Sequence, residues 1–311
     1  MTLVRAARPT DLVALVSFDG RVYPNEAKTR ERMGKTNSAP HPLERALEQW
    51  FSFATGCHTW ISVKGATLRG LISARRRSSH IWEIDCLINA AEDDSTVCIG
   101  LLEQALRDAG RAGVEKVFLR LTSDSAILPI ARKAGFIEYL RENLYSSPSP
   151  KSTDGVAAED APHLRKALRS DQHALYQLYS AVVPEPVRQV EAMTFSEWRA
   201  VQDRRWLVGR VSQLVIERDG QIRGWVSAAG DTDIGRLDLM ASPKEPGLET
   251  LLDSALRQLA GREWVHTIVP TYATALAVAL QRRGFQKGAE YSVLAKSTTT
   301  AVKAAQLAPA T

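Results

Sequence analysis

The sequence predicts an α/β protein made of two tandem copies of one unit. Three observations carry that expectation. The chain has 311 residues, long for one domain and comfortable for two. Its segments return in order at a nearly constant offset. Both copies also run through the same succession of strand-like and helix-like patterns.

The repeat is clearest in a helix. Leu101-Leu102-Glu103-Gln104-Ala105-Leu106-Arg107 returns 150 residues later as Leu251-Leu252-Asp253-Ser254-Ala255-Leu256-Arg257. Ala134-Gly135-Phe136 returns as Arg283-Gly284-Phe285, and Leu68-Arg69-Gly70-Leu71-Ile72-Ser73-Ala74 returns as Ile222-Arg223-Gly224-Trp225-Val226-Ser227-Ala228. A weaker match sets Thr10-Asp11 against Ser170-Asp171.

Each element follows from local pattern. In the first copy, residues 4–7 read as a short strand, and Pro9-Thr10-Asp11 opens a helix with Leu12, Leu15 and Val16 on one side. Residues 42–53 read as a second amphipathic helix. Strands follow over 60–63, 68–74 and 81–88, then a helix over 95–112, a strand over 116–121, and a shorter helix that stops at Gly135. In the second copy the strands fall at 214–217, 221–228 and 236–240, with an Asp219-Gly220 hairpin turn between the first two. Helices over 249–259 and 273–283 flank a strand at 267–269. The Ser- and Pro-rich stretch between the copies reads as a linker, and the tail after Ser297 as loose. The boundaries expected are 1–147 for the first domain, 148–161 for the linker, 162–297 for the second domain and 298–311 for the tail.

Composition excludes several classes. No run reaches membrane-span length, and Met1-Thr2-Leu3-Val4-Arg5 leads into a strand pattern with no signal-peptide core. A cytoplasmic protein without a membrane partner is expected. Cys57, Cys86 and Cys98 are odd in number and lack metal-ligand spacing, so no disulfide frame and no metal is expected. The net charge of +5 is spread evenly, with 20 Lys and Arg against 17 Asp and Glu up to residue 148 and 20 against 18 after it. There is no basic stripe for nucleic acid. Arg75-Arg76-Arg77 reads as a solvated strand end, with an anionic-substrate contact as the alternative.

A strand hairpin, a third strand, a turn, an "LL-x-x-AL" helix, a strand, a short helix, "Gly-Phe" and a last strand resemble the GNAT superfamily of acyl-CoA-dependent N-acyltransferases. The likeness covers both copies. It implies, in each, a mixed, mostly antiparallel twisted sheet flanked by helices. It also implies two neighbouring strands that splay apart, so that unpaired backbone groups hold the pantetheine arm of acetyl-CoA or another acyl-CoA. The helix after the gap would aim its N-terminus at the pyrophosphate. The acceptor would be a small-molecule or peptide amine. Residues 19–42 and 182–195 would line its approach.

Carried onto this chain, the resemblance assigns Leu239, Met240, Ala241, Lys244, Gly247 and Leu248 to acyl-CoA in the second copy, and Leu87, Ile88, Cys98 and Gly100 in the first. It implies Asp238, Asp85 and Glu83 as carboxylates on the strand where a general base is often kept. Two departures stand out. The turn before the first long helix carries Glu92, Asp93 and Asp94, acids that suit helix capping rather than phosphate. The family's usual general-acid tyrosine is replaced by Ala131 and Leu280. Arg132-Lys133 and Arg282-Arg283 suit a helix C-terminus, with a CoA 3′-phosphate as the alternative. The leading expectation is N-acyl transfer, through the second copy if only one works. The alternative is a catalytically silent pair that binds acyl-CoA, a metabolite or a protein partner. Acceptor and oligomeric state stay open.

Overall fold

The computed structural model describes residues 3–11, 23–30, 56–65, 67–91, 94–148, 163–192, 194–199, 211–230 and 233–298. The expected helices over 12–16 and 42–53, together with Trp50, Trp206, Glu92 and Asp93, lie outside the described residues.

The first copy contains β1 (Leu3–Ala6), β2 (Cys57–Lys64), β3 (Thr67–Arg76), β4 (Ile81–Asn89), α1 (Ser95–Arg111), β5 (Lys116–Thr122), α2 (Leu128–Lys133) and β6 (Ile137–Pro148). The second contains β7 (Leu164–Lys166), α3 (Gln172–Val182), α4 (Glu185–Glu191), β8 (Val211–Arg218), β9 (Gln221–Gly230), β10 (Ile234–Ala241), α5 (Leu248–Gln258), β11 (Trp264–Pro270), α6 (Thr274–Arg282) and β12 (Gln286–Ser297). No described helix is long and apolar enough to cross a membrane.

The weak N-terminal repeat is genuine. Arg5 Nη1 lies 2.6 Å from Asp11 Oδ2, and Arg165 Nη1 lies 2.7 Å from Asp171 Oδ2. Each aspartate also accepts a backbone N–H three residues back, from Arg8 and from Leu168, both at 2.7 Å. The Asp219-Gly220 turn has φ of 52° and 70°, as a two-residue hairpin requires.

All twelve strands join one sheet in the order β1-β2-β3-β4-β5-β12-β6-β11-β10-β9-β8-β7. Only β4/β5 and β10/β11 run parallel. The last strands are exchanged. β12 lies between β5 and β6 of the first copy, and β6 lies between β12 and β11 of the second. Ser146, Ser147 and Pro148 pair with His266, Val265 and Trp264 as part of β6, so that strand runs one residue into the expected linker.

Alternating side chains build a separate core on each face. Leu101, Leu102, Ala105 and Ala109 of α1 pack on Ile72, Ile84 and Leu119, and Leu294 from the exchanged β12 completes that core. Leu251, Leu252, Ala255 and Leu256 of α5 pack on Val226, Leu237 and Val265, and Tyr145 from the exchanged β6 joins them. Against the other face of the second copy lie Leu175, Leu178, Tyr179 and Trp198, over Val215, Trp225, Leu140 and Val293.

The repeated glycine beneath each long helix has a packing reason. A Cβ on Gly70 would fall 2.7 Å from Val97 Cγ1 and 2.9 Å from the Ile88 carbonyl oxygen, while one on Gly224 would meet Leu251 Cδ2 at 3.1 Å. Gly70→Ala should destabilise the protein by about 1–3 kcal/mol, because a backbone oxygen cannot yield as a side-chain tip can. Gly224→Ala should cost less. Urea midpoints of the two variants test the ranking.

Candidate functional site: two strand gaps, one filled and one open

A parallel pair that stops pairing early leaves backbone groups facing a gap. Both copies do this. β4 and β5 pair only from Ile81–Lys116 to Glu83–Phe118, and β10 and β11 only from Ile234–Trp264 to Leu237–Thr267. Beyond those points the fates of the two gaps differ.

The first gap is filled by the chain itself. Asn25 Oδ1 accepts the Leu87 N–H at 2.9 Å, and Asn25 Nδ2 donates to the Asp85 carbonyl at 3.1 Å. The Glu26 N–H donates to the Leu87 carbonyl at 2.9 Å, and the Lys28 N–H to the Arg120 carbonyl at 2.8 Å. Ala27 and Thr29 are buried. Residues 25–28 thus bridge β4 and β5 where a pantetheine arm was expected. Both backbone groups of Leu87 are taken, and Ile88 packs into a small cluster with Ala7, Ile61, Leu68 and Leu71.

The helix after this gap caps itself. Asp94 Oδ1 accepts the Thr96 hydroxyl and, at 3.0 Å, the Thr96 N–H, and these two bonds hold the Asp94 carboxyl below its ordinary pKa. Cys98 is fully buried, and burial pushes its thiol up to about 12. Gly100 faces Val4, whose Cγ2 would lie 3.3 Å from an added Cβ. Cys98 offers no surface to a ligand, contrary to the sequence expectation, because it belongs to the packed side of α1, and Gly100 is half-buried against β1.

The second gap is open. Among the described residues no backbone hydrogen bond joins 238–241 to 268–270. Asp238, Leu239 and Met240 from β10, with Ile268, Pro270 and Tyr272 from β11 and the turn after it, line a cavity of about 190 Å³. The cavity continues over the exchanged strands. Glu83, Phe118, Arg120 and Tyr139 of the first copy form one wall, and Tyr179, Glu191, Trp198 and Trp225 of the second form another. Ala241, also expected at this site, is half-buried at the end of β10 beside the gap.

Charge in the cavity is concentrated and mostly paired. Glu142 is fully buried and ion-paired to Arg30, while Arg120 Nε reaches its other oxygen at 2.9 Å. Arg120 Nη1 lies 3.6 Å from Glu83 Oε1, and Glu83 Oε2 takes Arg75 Nη2 at 2.9 Å and Arg77 Nε at 2.6 Å. Two arginines of the cationic run thus turn inward onto Glu83, while Arg76 stays exposed. Burial would pull the Arg30 pKa down, but Glu142, Asp238 and Glu191 outweigh it and keep the guanidinium charged.

Glu191 behaves differently. Burial raises its pKa, and the Glu142 charge adds to the rise while Arg30 opposes it. The Tyr139 hydroxyl donates to one carboxylate oxygen at 3.2 Å and the Tyr179 hydroxyl to the other at 3.4 Å. Burial likewise raises the Tyr272 hydroxyl above its ordinary range, with the Glu191 charge adding to it.

Of the three carboxylates expected from sequence, Asp238 lies on the open gap. Glu83 lines the same cavity but is held by three arginines. Asp85 sits in a β-bulge, where Ser73↔Cys86 is followed by Ala74↔Ile84, and its Oδ1 takes the Ser73 hydroxyl at 2.6 Å. It is not among the residues lining the cavity. Sequence reasoning missed Arg30 and Glu191, and Tyr272 reads from the sequence as a packed aromatic. Arg30 and Glu191 come from the two segments expected to line the acceptor approach, but neither carries a local motif.

The turn before α5 is more closed than expected. Glu245 Oε1 accepts the Gly247 N–H at 3.0 Å and Arg218 Nε at 3.0 Å, and the Leu248 N–H bonds the Glu245 carbonyl at 3.3 Å. Gly247 and Leu248 are therefore not bare, and Lys244 is exposed beside them.

No protein-family model matches the chain, and no curated protein matches it. Solved structures do. A tandem GNAT protein from the clavulanic acid biosynthesis pathway is 13% identical, with a TM-score of 0.57, 96% of this chain and 99% of that chain covered. A GCN5-related N-acetyltransferase from Sphaerobacter thermophilus is 15% identical, with a TM-score of 0.57 and 96% of each chain covered. One from Kribbella flavida is 11% identical, with a TM-score of 0.53, 96% of this chain and 71% of that chain covered. Identities this low speak for shape, while function resides in the site. The chain has the fold of the tandem GNAT acetyltransferases, with its two copies joined through one sheet.

Proposed function

We propose that the protein is an acyl-CoA-dependent N-acyltransferase whose single working site is the open gap between β10 and β11. The observation that carries this reading is the difference between the gaps: one is bridged by residues 25–28, the other opens into a cavity lined by ionisable groups. The first copy then serves as scaffold and as one wall of the acceptor cavity. Soluble globular composition and the fold are consistent with a cytoplasmic enzyme.

The donor fits the second gap in part. Beyond Leu237 the side of β10 that no longer pairs with β11 faces the gap, and the apolar side chains of Leu239 and Ile268 suit the methylenes of a pantetheine arm. The bound thioester supplies an activated acyl carbon. The residues of the chain manage protons around it. Asp238 and Glu191 accept the proton that the amine must lose as its nitrogen bonds the acyl carbon. Tyr272 stays protonated at neutral pH and can donate to the sulfur as the carbon–sulfur bond breaks. Trp198, Trp225 and Tyr179 exclude water and wall the amine.

The test is release of free thiol from acetyl-CoA in the presence of a panel of primary amines. Asp238→Asn should lower kcat/KM about a hundredfold. The rate should rise with pH through the elevated pKa of Glu191, and Glu191→Gln should flatten that limb. If acetyl-CoA binds but no amine is acylated, the protein is a binding module with a GNAT fold, and the reading fails.

A further inference from the structure

The way α5 begins bears on which part of an acyl donor can be recognised. A diphosphate at a helix N-terminus needs free N–H groups and a positive surround. Here the Glu245 carboxylate, with a side chain only 4% exposed, already holds the Gly247 N–H and is locked by Arg218. One and two turns further on, Glu249 and Asp253 engage the arginines that could otherwise meet phosphate. Arg283 is 2.6 Å from Asp253 Oδ1 and paired to Glu249, and Arg282 is 3.2 Å from Glu249 Oε1. Among the described residues, Arg218, Arg282 and Arg283 near this helix start are spent on the protein's own acids, and a Cβ on Gly247 would already touch Ile216 Cδ1 at 2.9 Å. Lys244 is left exposed at the turn.

From this geometry we infer that the site recognises its donor through the acyl-pantetheine arm, with the adenine nucleotide half of coenzyme A left ungripped at α5. The inference rests on the acyl-transfer reading and narrows its substrate class to pantetheine thioesters, whatever lies beyond the arm. Like charge near a diphosphate is unfavourable at about 1 kcal/mol per close pair even in water, and more where water is excluded.

Equilibrium titration of the full chain needs no acceptor. Acetyl-CoA and S-acetylpantetheine should bind with dissociation constants within about threefold of each other. Adenosine 3′,5′-diphosphate, the nucleotide half alone, should not displace either. Glu245→Gln should tighten acetyl-CoA about three- to tenfold and leave S-acetylpantetheine unchanged, since it removes a charge that only the diphosphate meets. Acetyl-CoA binding thirtyfold or more tighter than S-acetylpantetheine, or competition by the diphosphate, overturns the inference and leaves acyl transfer standing. If neither thioester binds, both readings fall.

Discussion

Expressed apart, residues 1–148 and 163–311 should each fail to fold, and should fold when produced together. The reason is the exchange of the last strands. The ladders β5–β12, β12–β6 and β6–β11 all join one half to the other. The isolated first half would leave β5 and β6 as separated edges with nothing between them. It would also lose Leu294 from the core under α1, while the second half would lose Tyr145 from the core under α5. Each such side chain contributes about 1.5–3 kcal/mol of burial, and whole ladders go with them. A domain whose total stability is about 5–15 kcal/mol cannot absorb that loss. Unpaired strands of this kind also aggregate. Soluble yield, circular dichroism and urea titration of each fragment give the answer. A monomeric 1–148 fragment with a cooperative transition would show that the exchange is dispensable.

Glu142→Gln should destabilise the whole chain by about 3–5 kcal/mol, because it removes the buried carboxylate that pairs the buried Arg120 and the half-buried Arg30. Glu142 sits on β6 and Arg120 on β5, and their side chains meet across the intervening β12. Arg30 arrives from the segment that fills the first gap. The pair thus ties three chain regions that the sequence keeps far apart. Burial by itself would raise the Glu142 pKa, but Arg120 and Arg30 outweigh it and hold the carboxyl below its ordinary value. Its contribution is therefore present above the unfolded carboxylate pKa of about 4.3 and is lost as pH falls through the lower folded value. Glu191 has the opposite sign. Its folded pKa is raised, so its contribution is fullest at low pH and declines as pH rises through the folded value. A triple change, Glu142→Leu with Arg120→Met and Arg30→Met, should recover most of the loss by removing every charge together. If Glu142→Gln melts like the parent, water must reach these groups, and the network carries no such weight.

The same cluster shows what could be read in advance. The carboxylate at Asp238 was legible, because β10 repeats the place of β4 and the position is acidic in both. Glu83 was legible as a second acid on the strand that carries Asp85, although its place in the second copy holds Arg236, and its three arginine partners were not legible. Arg75 and Arg77 look like a solvated run in one dimension, and only the fold of β3 against β4 brings them onto a buried acid. Gly70 and Gly224 were visible as a repeated residue, and the α1 and α5 leucines above them supply the cause.

Periodicity and repetition in the chain were sufficient to specify two copies of an α/β unit, the order of strands and helices from the first hairpin of each copy onward, the hairpin turn at Asp219-Gly220 and the self-capped start of α1. Those are local properties, set by side-chain spacing of 2.0 or 3.6 residues and by capping chemistry within a few positions. Which edge accepts β6 or β12 is not local. A strand presents the same backbone donors and acceptors to any partner, so the exchange was decided by the packing of the whole sheet. The filling of the first gap by residues 25–28, and the meeting of Arg30, Glu191 and Asp238 in one cavity, arise in the same way. They depend on contacts between segments with no motif of their own, and such contacts exist only once the chain has closed on itself.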